Sequence, residues 1–268
     1  MKNTSVDLRN LIWTRGAGSV CSDGAFLKAT SDDYSLYYKM SGYNSAQGVY
    51  GHEAINELVA YRVAKELGVP APPTTLTKAL VSIDNSEFET HIAVSESFKT
   101  ARDSRMSFDD FYKSVRREGE TALSVALRYG WEQRVSQMFL YDFLIINRDR
   151  HGANLEVLET DGEKRLSPLF DNGLSFACSC ASDVELEAFD IMADRQVNNF
   201  IGTRSLHSNL KSVTTPIKVK ELREEARSRL FDGLDGIISK LHQDVIWRIL
   251  WERYNYAKKI CDMQPGDD

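Results

Sequence analysis

Apolar and polar positions alternate near the start of the chain, and the alternation predicts two short strands, Ala25-Phe26-Leu27-Lys28-Ala29 and Ser35 to Met40. Thr30-Ser31-Asp32-Asp33 serves as the turn of a hairpin. Between 53 and 67 the period lengthens, and Ile55, Leu58, Val59, Val63 and Leu67 recur at helical spacing. Gly68-Val69-Pro70 then supplies a glycine just past the helix and a stop signal. Two further strands are expected at Leu76 to Ile83 and His91 to Val94, around the turn Asp84-Asn85-Ser86. The polar stretch Lys99 to Arg105 marks a change of character, followed by helical patterns over Phe108 to Val115 and Trp131 to Ile146. One hairpin interrupts the helices, Leu155 to Leu158 with Arg165 to Phe170, around an Asp161-Gly162 turn. The tail from Val219 to Ile260 reads as helical, its charge-dense start forming a solvated face supported by pairs such as Glu225 with Arg229. Residues 177 to 215 show no pattern, and Gly202-Thr203-Arg204-Ser205 reads as a plain loop, with an acceptor-binding or regulatory element as the alternative. The fold class is α+β, with a sheet-rich part at 1–98 and a larger helical part at 99–268.

Composition narrows the function. The chain has 268 residues, 33 Lys and Arg against 39 Asp and Glu, a net charge of −6, and 42% hydrophobic residues. A chain of this size buries a core without disulfides or structural metal. The acidic balance argues against holding nucleic acid directly, because that affinity comes largely from Lys and Arg on phosphates. No run approaches the roughly 18 to 20 apolar residues of a membrane-spanning helix, and the N-terminus lacks the pattern of a secretory signal. A cytoplasmic protein is expected. Cys21, Cys178, Cys180 and Cys261 include only one close pair, without the second pair of a zinc site, so free thiols are expected.

The chemistry concentrates after the apolar run Phe143 to Ile146, where Asn147 to Asn154 packs charged and amide side chains into a loop on a buried support. Arg148-Asp149, four residues and then Asn154 repeat the spacing of the protein-kinase catalytic loop, in which the Asp takes the acceptor hydroxyl proton and the Asn binds metal. Asp171-Asn172-Gly173 stands where kinases carry the metal-binding Asp-Phe-Gly. The midpoint of 154 and 171 falls between Gly162 and Glu163, so strands of equal length are expected to bring Asn154 and Asp171 together as oxygen ligands for Mg²⁺. His151 is a loop hydrogen-bonder, a metal ligand or a packed residue, and orienting the loop is the favoured role.

Phosphoryl transfer also needs cations. Lys39 ends an apolar strand, with Glu57 on the following helix as its partner and Glu53, one turn earlier, as the competing choice. Thr14 to Ser19, with Gly16 and Gly18, is the one early stretch suited to cover phosphates. No Gly-x4-Gly-Lys-Ser/Thr sequence is present, which argues against a P-loop NTPase.

Asn56-Glu57, Val63 to Pro70, Ala93 to Phe98, Asp149-x-His151-x-x-Asn154 and Leu166 to Asp171 together resemble the HipA-like serine/threonine kinases, atypical bacterial kinases with a protein-kinase and phosphoinositide-kinase-like fold. The resemblance runs, with gaps, from Lys39 to Phe176. It implies a two-lobed kinase using ATP and Mg²⁺, with Asp149 as base, Asn154 and Asp171 as metal ligands, and Lys39 with Glu57 on the phosphates. Ser95-Glu96-Ser97-Phe98 would be the hinge that meets adenine. A protein hydroxyl is the implied acceptor, on another protein or on the chain itself. An antitoxin-like partner is implied only as far as the shared core extends, because the additional N-terminal domain of the full-length toxins has no counterpart before Lys39. Two rival readings stay open: a lipid or small-molecule kinase on the same fold, and a nucleotide-binding regulatory module that transfers no phosphate.

Overall fold

A six-stranded sheet carries the N-terminal part of the chain. The structure is a computed structural model and describes residues 5–15 and 26–266. Its strands are β1 (Val6–Asp7), β2 (Thr14–Arg15), β3 (Leu27–Thr30) and β4 (Leu36–Met40), followed by the small separate hairpin β5 (Gly42–Asn44) and β6 (Gly48–Tyr50). Helix α1 (Glu53–Leu67) comes next, and the long hairpin β7 (Thr74–Ile83) and β8 (Ser86–Glu96) completes the sheet in the order β1-β7-β8-β4-β3-β2. The turn residues Asp84 and Asn85 both take positive φ, 52° and 64°, as a tight hairpin turn matched to strand twist requires. The first hairpin forms as expected, and its register sets Lys28 directly opposite Lys39.

Leu27, Met40, Val81 and Ile92 are among the residues that form a cluster on the sheet. Helix α1 ends on Gly68 in the left-handed region, φ 69°. Its apolar side, including Val59, Val63 and Leu67, joins the large core formed with the later helices. Tyr141 Oη donates to Ala60 O at 2.8 Å and ties α1 to that core. The helix is buried nearly all round, and the polar residues Glu53, Asn56 and Glu57 are buried with it. Such a burden of buried polar groups is tolerated only where each is bonded or paired.

The second part contains β9 (Ser104–Ser107), α2 (Phe108–Val115), α3 (Ala122–Arg128), α4 (Glu132–Ile145), β10 (Asp149–Arg150), β11 (Glu156–Thr160) and β12 (Glu163–Leu166). It continues through α5 (Asp183–Glu187), β13 (Asn198–Asn199), α6 (Leu206–Lys211), α7 (Ala226–Leu230) and α8 (Lys240–Ile260). Strand β9 and helix α3 carry no sequence signal: Ser104-Arg105-Met106-Ser107 has no apolar alternation because it adds an exposed edge to β11. The hairpin turn falls on Asp161-Gly162, but the ladder pairs Val157 with Leu166 and ends there. Its symmetry point therefore lies one residue earlier than the sequence suggests, and Pro168, with no N–H to donate, accompanies the departure of the chain. Pairing of equal strands does not bring Asn154 to Asp171. The charged segment before α7 is not a continuous helix either, and Arg229 pairs with Glu66 of α1 at 2.6 Å instead of Glu225. Among the described residues no helix is long and apolar enough to cross a membrane.

Candidate active site

Helix α4 delivers the central loop. Its cap, Ile146, sits in the left-handed region at φ 52°, a conformation that a β-branched side chain rarely adopts. That turn directs Asn147 back onto the helix, where its Nδ2 donates to Asp142 Oδ1 at 3.0 Å and its Oδ1 accepts from Asp149 N at 3.1 Å. Gly152 meets α2 so closely that a Cβ there would lie 2.7 Å from Asp109 Cβ, which fixes the loop from the other side.

Arg150 does what the hairpin was expected to do. Its guanidinium donates to Asp142 Oδ1 at 2.8 Å, to Asn172 Oδ1 at 2.7 Å, to Phe170 O at 2.7 Å and to Asn154 O at 3.2 Å. One side chain thus joins the loop before Asn154 to the segment around Asp171. Both Arg150 and Asp142 are only 1% exposed. Burial opposes the charge on Arg150, and Asp142 more than offsets it, so the guanidinium is held above its ordinary pKa. Sequence reading passed over Arg150 because a charge in a polar loop resembles a solvated one.

The three loop candidates face one cavity. Asp149 Oδ1 accepts from Asn198 Nδ2 at 3.1 Å, and its Oδ2 lies 3.7 Å from His151 Nε2. His151 Nδ1 accepts from Ala153 N at 3.1 Å, which turns Nε2 toward Asp149 and gives the imidazole its orienting contact within the loop. Asn154 Nδ2 donates to Asp149 O at 2.9 Å, leaving Oδ1 as the atom suited to a cation. Asn198 reaches Asp149 through the short parallel pairing of β10 with β13, anchored by buried Val197. It belongs to the segment without sequence pattern, since a two-residue strand leaves no periodicity. In the same segment Ser205 caps α6 and Asn209 Oδ1 accepts from Thr203 N, which ties the Gly202 to Ser205 loop to that helix.

Across the cavity Lys39 Nζ donates to Glu57 Oε1 at 2.7 Å and to Asp171 Oδ1 at 2.9 Å. Lys28 Nζ donates to Asp171 Oδ2 at 2.7 Å. Burial works against the charge of Lys39, but the carboxylates of Asp171 and Glu57 outweigh it and hold the ammonium above its ordinary value. Asp171 is the mirror case: burial raises its pKa, yet Lys39 and Lys28 keep the carboxyl well below the usual carboxylate range. Asp171 also sits at φ 57°, an uncommon backbone state of the kind found at functional sites. Helix α1 grips the next residues, Glu57 Oε1 accepting from Gly173 N at 3.1 Å and Asn56 Nδ2 donating to Gly173 O at 3.0 Å. Glu53 instead accepts from Gly42 N at 3.2 Å, so of the two expected partners Glu57 is the one on Lys39. Lys28 was readable in principle: like charges opposed across a hairpin are unfavourable unless an anion lies between them.

Two adjoining cavities result. One, of about 340 Å³, is lined by Lys39, Glu57, Asp149, Asn154 and Asp171. The other, of about 170 Å³, is lined by Tyr37, Glu96, Ser97, Phe98 and Phe170, and Lys28, Lys39, Glu57 and Asp171 border both. The rings of Phe98 and Phe170 lie 5.4 Å apart there. Glu96 N and Ser97 N already donate to Pro73 O and Ser35 O, at 2.9 and 2.8 Å. Gly16 and Gly18 lie outside the described residues. Among the described residues no group of three or more His, Cys, Asp or Glu could hold a metal alone. The carboxylate of Asp171 and the amide of Asn154 border one cavity and offer oxygen donors of the class that Mg²⁺ takes alongside phosphate oxygens and water.

No protein-family model matches the chain, and no curated protein sequence does. Among solved structures, the Helicobacter pylori proinflammatory kinase CtkA aligns over 96% of this chain and 97% of its own, at 14% identity and a TM-score of 0.57. HipA of Shewanella oneidensis MR-1, from a toxin–antitoxin complex with HipB and operator DNA, aligns over 94% of this chain at 17% identity and a TM-score of 0.43; this chain spans 60% of that one. The PAN3 pseudokinase of Neurospora crassa aligns at 11% identity, over 93% of this chain and 60% of its own, with a TM-score of 0.32. The likeness to CtkA shows a kinase-like fold: a sheet-rich N-terminal part followed by helices.

Proposed function

We propose that the protein is an ATP- and Mg²⁺-dependent phosphotransferase of the HipA-like kind, acting on a Ser or Thr hydroxyl of a protein, its own included. In this reading residues 1–98 and 99–268 are the two lobes of a kinase. The observation that carries it is the facing of Lys39, Glu57 and Asp171 on one wall against Asp149 and Asn154 on the other. Lys39 and the metal held by Asp171 and Asn154 would neutralise phosphate charge, and Asp149 would accept the hydroxyl proton. Mg²⁺, when bound, withdraws charge from the transferring phosphoryl group. The base would rest near Phe98 and Phe170, with its edge read by groups of the hinge other than the paired amides of Glu96 and Ser97.

The test is mass spectrometry of the purified protein after incubation with Mg·ATP, together with labelled ATP and a bacterial extract. Phosphoserine or phosphothreonine on a protein is the expected product, absent in Asp149→Asn. Label in an organic-phase or small-molecule product instead would change the acceptor class. Tight ATP binding without any transfer would leave a regulatory nucleotide-binding module.

A further inference from the structure

Both carboxylate oxygens of Asp171 carry an ammonium. Lys39 holds Oδ1 at 2.9 Å and Lys28 holds Oδ2 at 2.7 Å, so the group expected to bind metal is already saturated with cations. Lys28, Lys39, Glu57 and Asp171 sum to zero charge. A divalent cation arriving alone would meet two ammoniums in contact with its own ligand, while the cavity's other carboxylates, Asp149 on the opposite wall and Glu53, make no ion pair with them. A polyphosphate brings negative charge to the ammoniums themselves.

The two lysines are not equivalent. Lys39 has a second carboxylate, Glu57, at 2.7 Å besides Asp171, and its side chain is 16% exposed. Lys28 is 40% exposed, borders both cavities, and among the described residues has Asp171 as its carboxylate partner. It is therefore the side chain free to exchange a carboxylate for a phosphate oxygen. We infer that Lys28 is a second phosphate-binding lysine, and that its ion pair with Asp171 keeps divalent metal out of the site until a nucleoside triphosphate draws Lys28 away. The inference rests on the nucleotide-binding reading above. It makes the order of binding a property of the β3–β4 register, which places Lys28 across from Lys39.

The experiment uses the full chain, with Mn²⁺ binding followed by electron paramagnetic resonance and binding of a non-hydrolysable ATP analogue followed by calorimetry. Lys28→Met and Lys28→Gln are compared with wild type and with Lys28→Arg, each checked for folding by its thermal melt. Loss of a charge-assisted bond should weaken analogue binding by about 10- to 150-fold in Met and Gln. The same two variants should bind Mn²⁺ alone about tenfold or more tighter than wild type, because one ammonium has left its ligand. Lys28→Arg should behave as wild type in both assays. These opposite signs separate the proposal from a merely structural ion pair, whose loss would leave analogue binding unchanged. Unchanged Mn²⁺ affinity in the folded Met and Gln variants, or unchanged analogue affinity, overturns it while leaving the phosphotransferase reading standing. If wild type binds no nucleotide, that reading and this inference fall together.

Discussion

The two walls of the cleft hold their polar groups in different ways. On the sheet side, Lys28, Lys39, Glu57 and Asp171 neutralise one another through ion pairs of 2.7 to 2.9 Å. On the loop side, Asp149 is held by an amide of Asn198 and flanked by His151, and among the described residues no Lys or Arg pairs with its carboxylate. In the proposed reading the first wall is a set of charges that change partners when a polyanion arrives. The second is a carboxylate aimed by the neutral amide of Asn198, with His151 Nε2 at 3.7 Å. Division of labour in the proposed transfer follows from that difference: one wall for phosphate and metal, the other for the acceptor hydroxyl. Arg150 joins them, since it bonds to the backbone of both Asn154 and Phe170.

The largest expected effect tests the loop wall. Asp149→Asn should lower transfer by roughly two to four orders of magnitude in single-turnover assays. Nucleotide affinity, measured by calorimetry, should hardly move. A parallel loss of affinity would erase the proposed division. Breaking the joint between the walls comes next. Arg150→Met leaves Asp142 buried and unpaired, a change that costs about 3 to 5 kcal/mol, read as a fall in unfolding midpoint in denaturant. A variant as stable as wild type would mean the walls are held together elsewhere. Asn198→Ala removes one exposed donor to Asp149 and should reduce kcat about 3- to 10-fold, with nucleotide affinity unchanged. Equal changes in both would place Asn198 on the nucleotide side.

Within the site the smallest effect is in pH dependence. Asp171 is held below its ordinary 3.8, so its contribution to stability is complete above that value and is lost only as pH falls beneath it. Lys39 is held above its ordinary 10.5, so its contribution is complete below that value and is lost only as pH rises past it. Through the neutral range Asp171 and Lys39 should therefore stay ionised. A separate pair should titrate there. The rings of His52 and His242 meet edge to face at 4.2 Å where α1 approaches α8. Burial lowers both, His242 to about 4, so between 6.5 and 4 the unfolded chain binds a proton that the folded one refuses. Stability should fall with falling pH in that window, by at most about 1.4 kcal/mol per pH unit for one proton. His242→Gln should flatten this slope in thermal melts. An undiminished slope would move the titration back to the site.

Legibility in the sequence followed the range of the interaction. The helix at Glu53–Leu67, the turns at Asp84-Asn85 and Asp161-Gly162, and the Lys39–Glu57 pair were all readable, because each depends on local period, on turn chemistry or on a motif of fixed spacing. Residues such as Asn198 and Arg150 were not. Asn198 sits in a two-residue strand 49 positions from the carboxylate it orients, and Arg150 is distinguished only by what surrounds it. The symmetrical hairpin was the instructive error. Asn154 and Asp171 do border one cavity, but not through strand pairing: the ladder stops at Leu166 and a buried arginine makes the join.

What the sequence determined by itself is the set of chemical groups and the short-range elements that present them: a hairpin bearing Lys39, a helix bearing Glu57, and a loop bearing Asp149 and Asn154. Backbone periodicity and turn residues act over a few positions, so they are written locally. Tertiary structure alone decided which charges meet. Whether Lys28 is a surface lysine or a clamp on Asp171, and whether Arg150 is solvated or buried, depends on desolvation and on partners more than a hundred residues away in one case and on a buried helix in the other. Electrostatic energies rise steeply as water leaves, so the fold, by removing the water, turned a scatter of charged residues into a site.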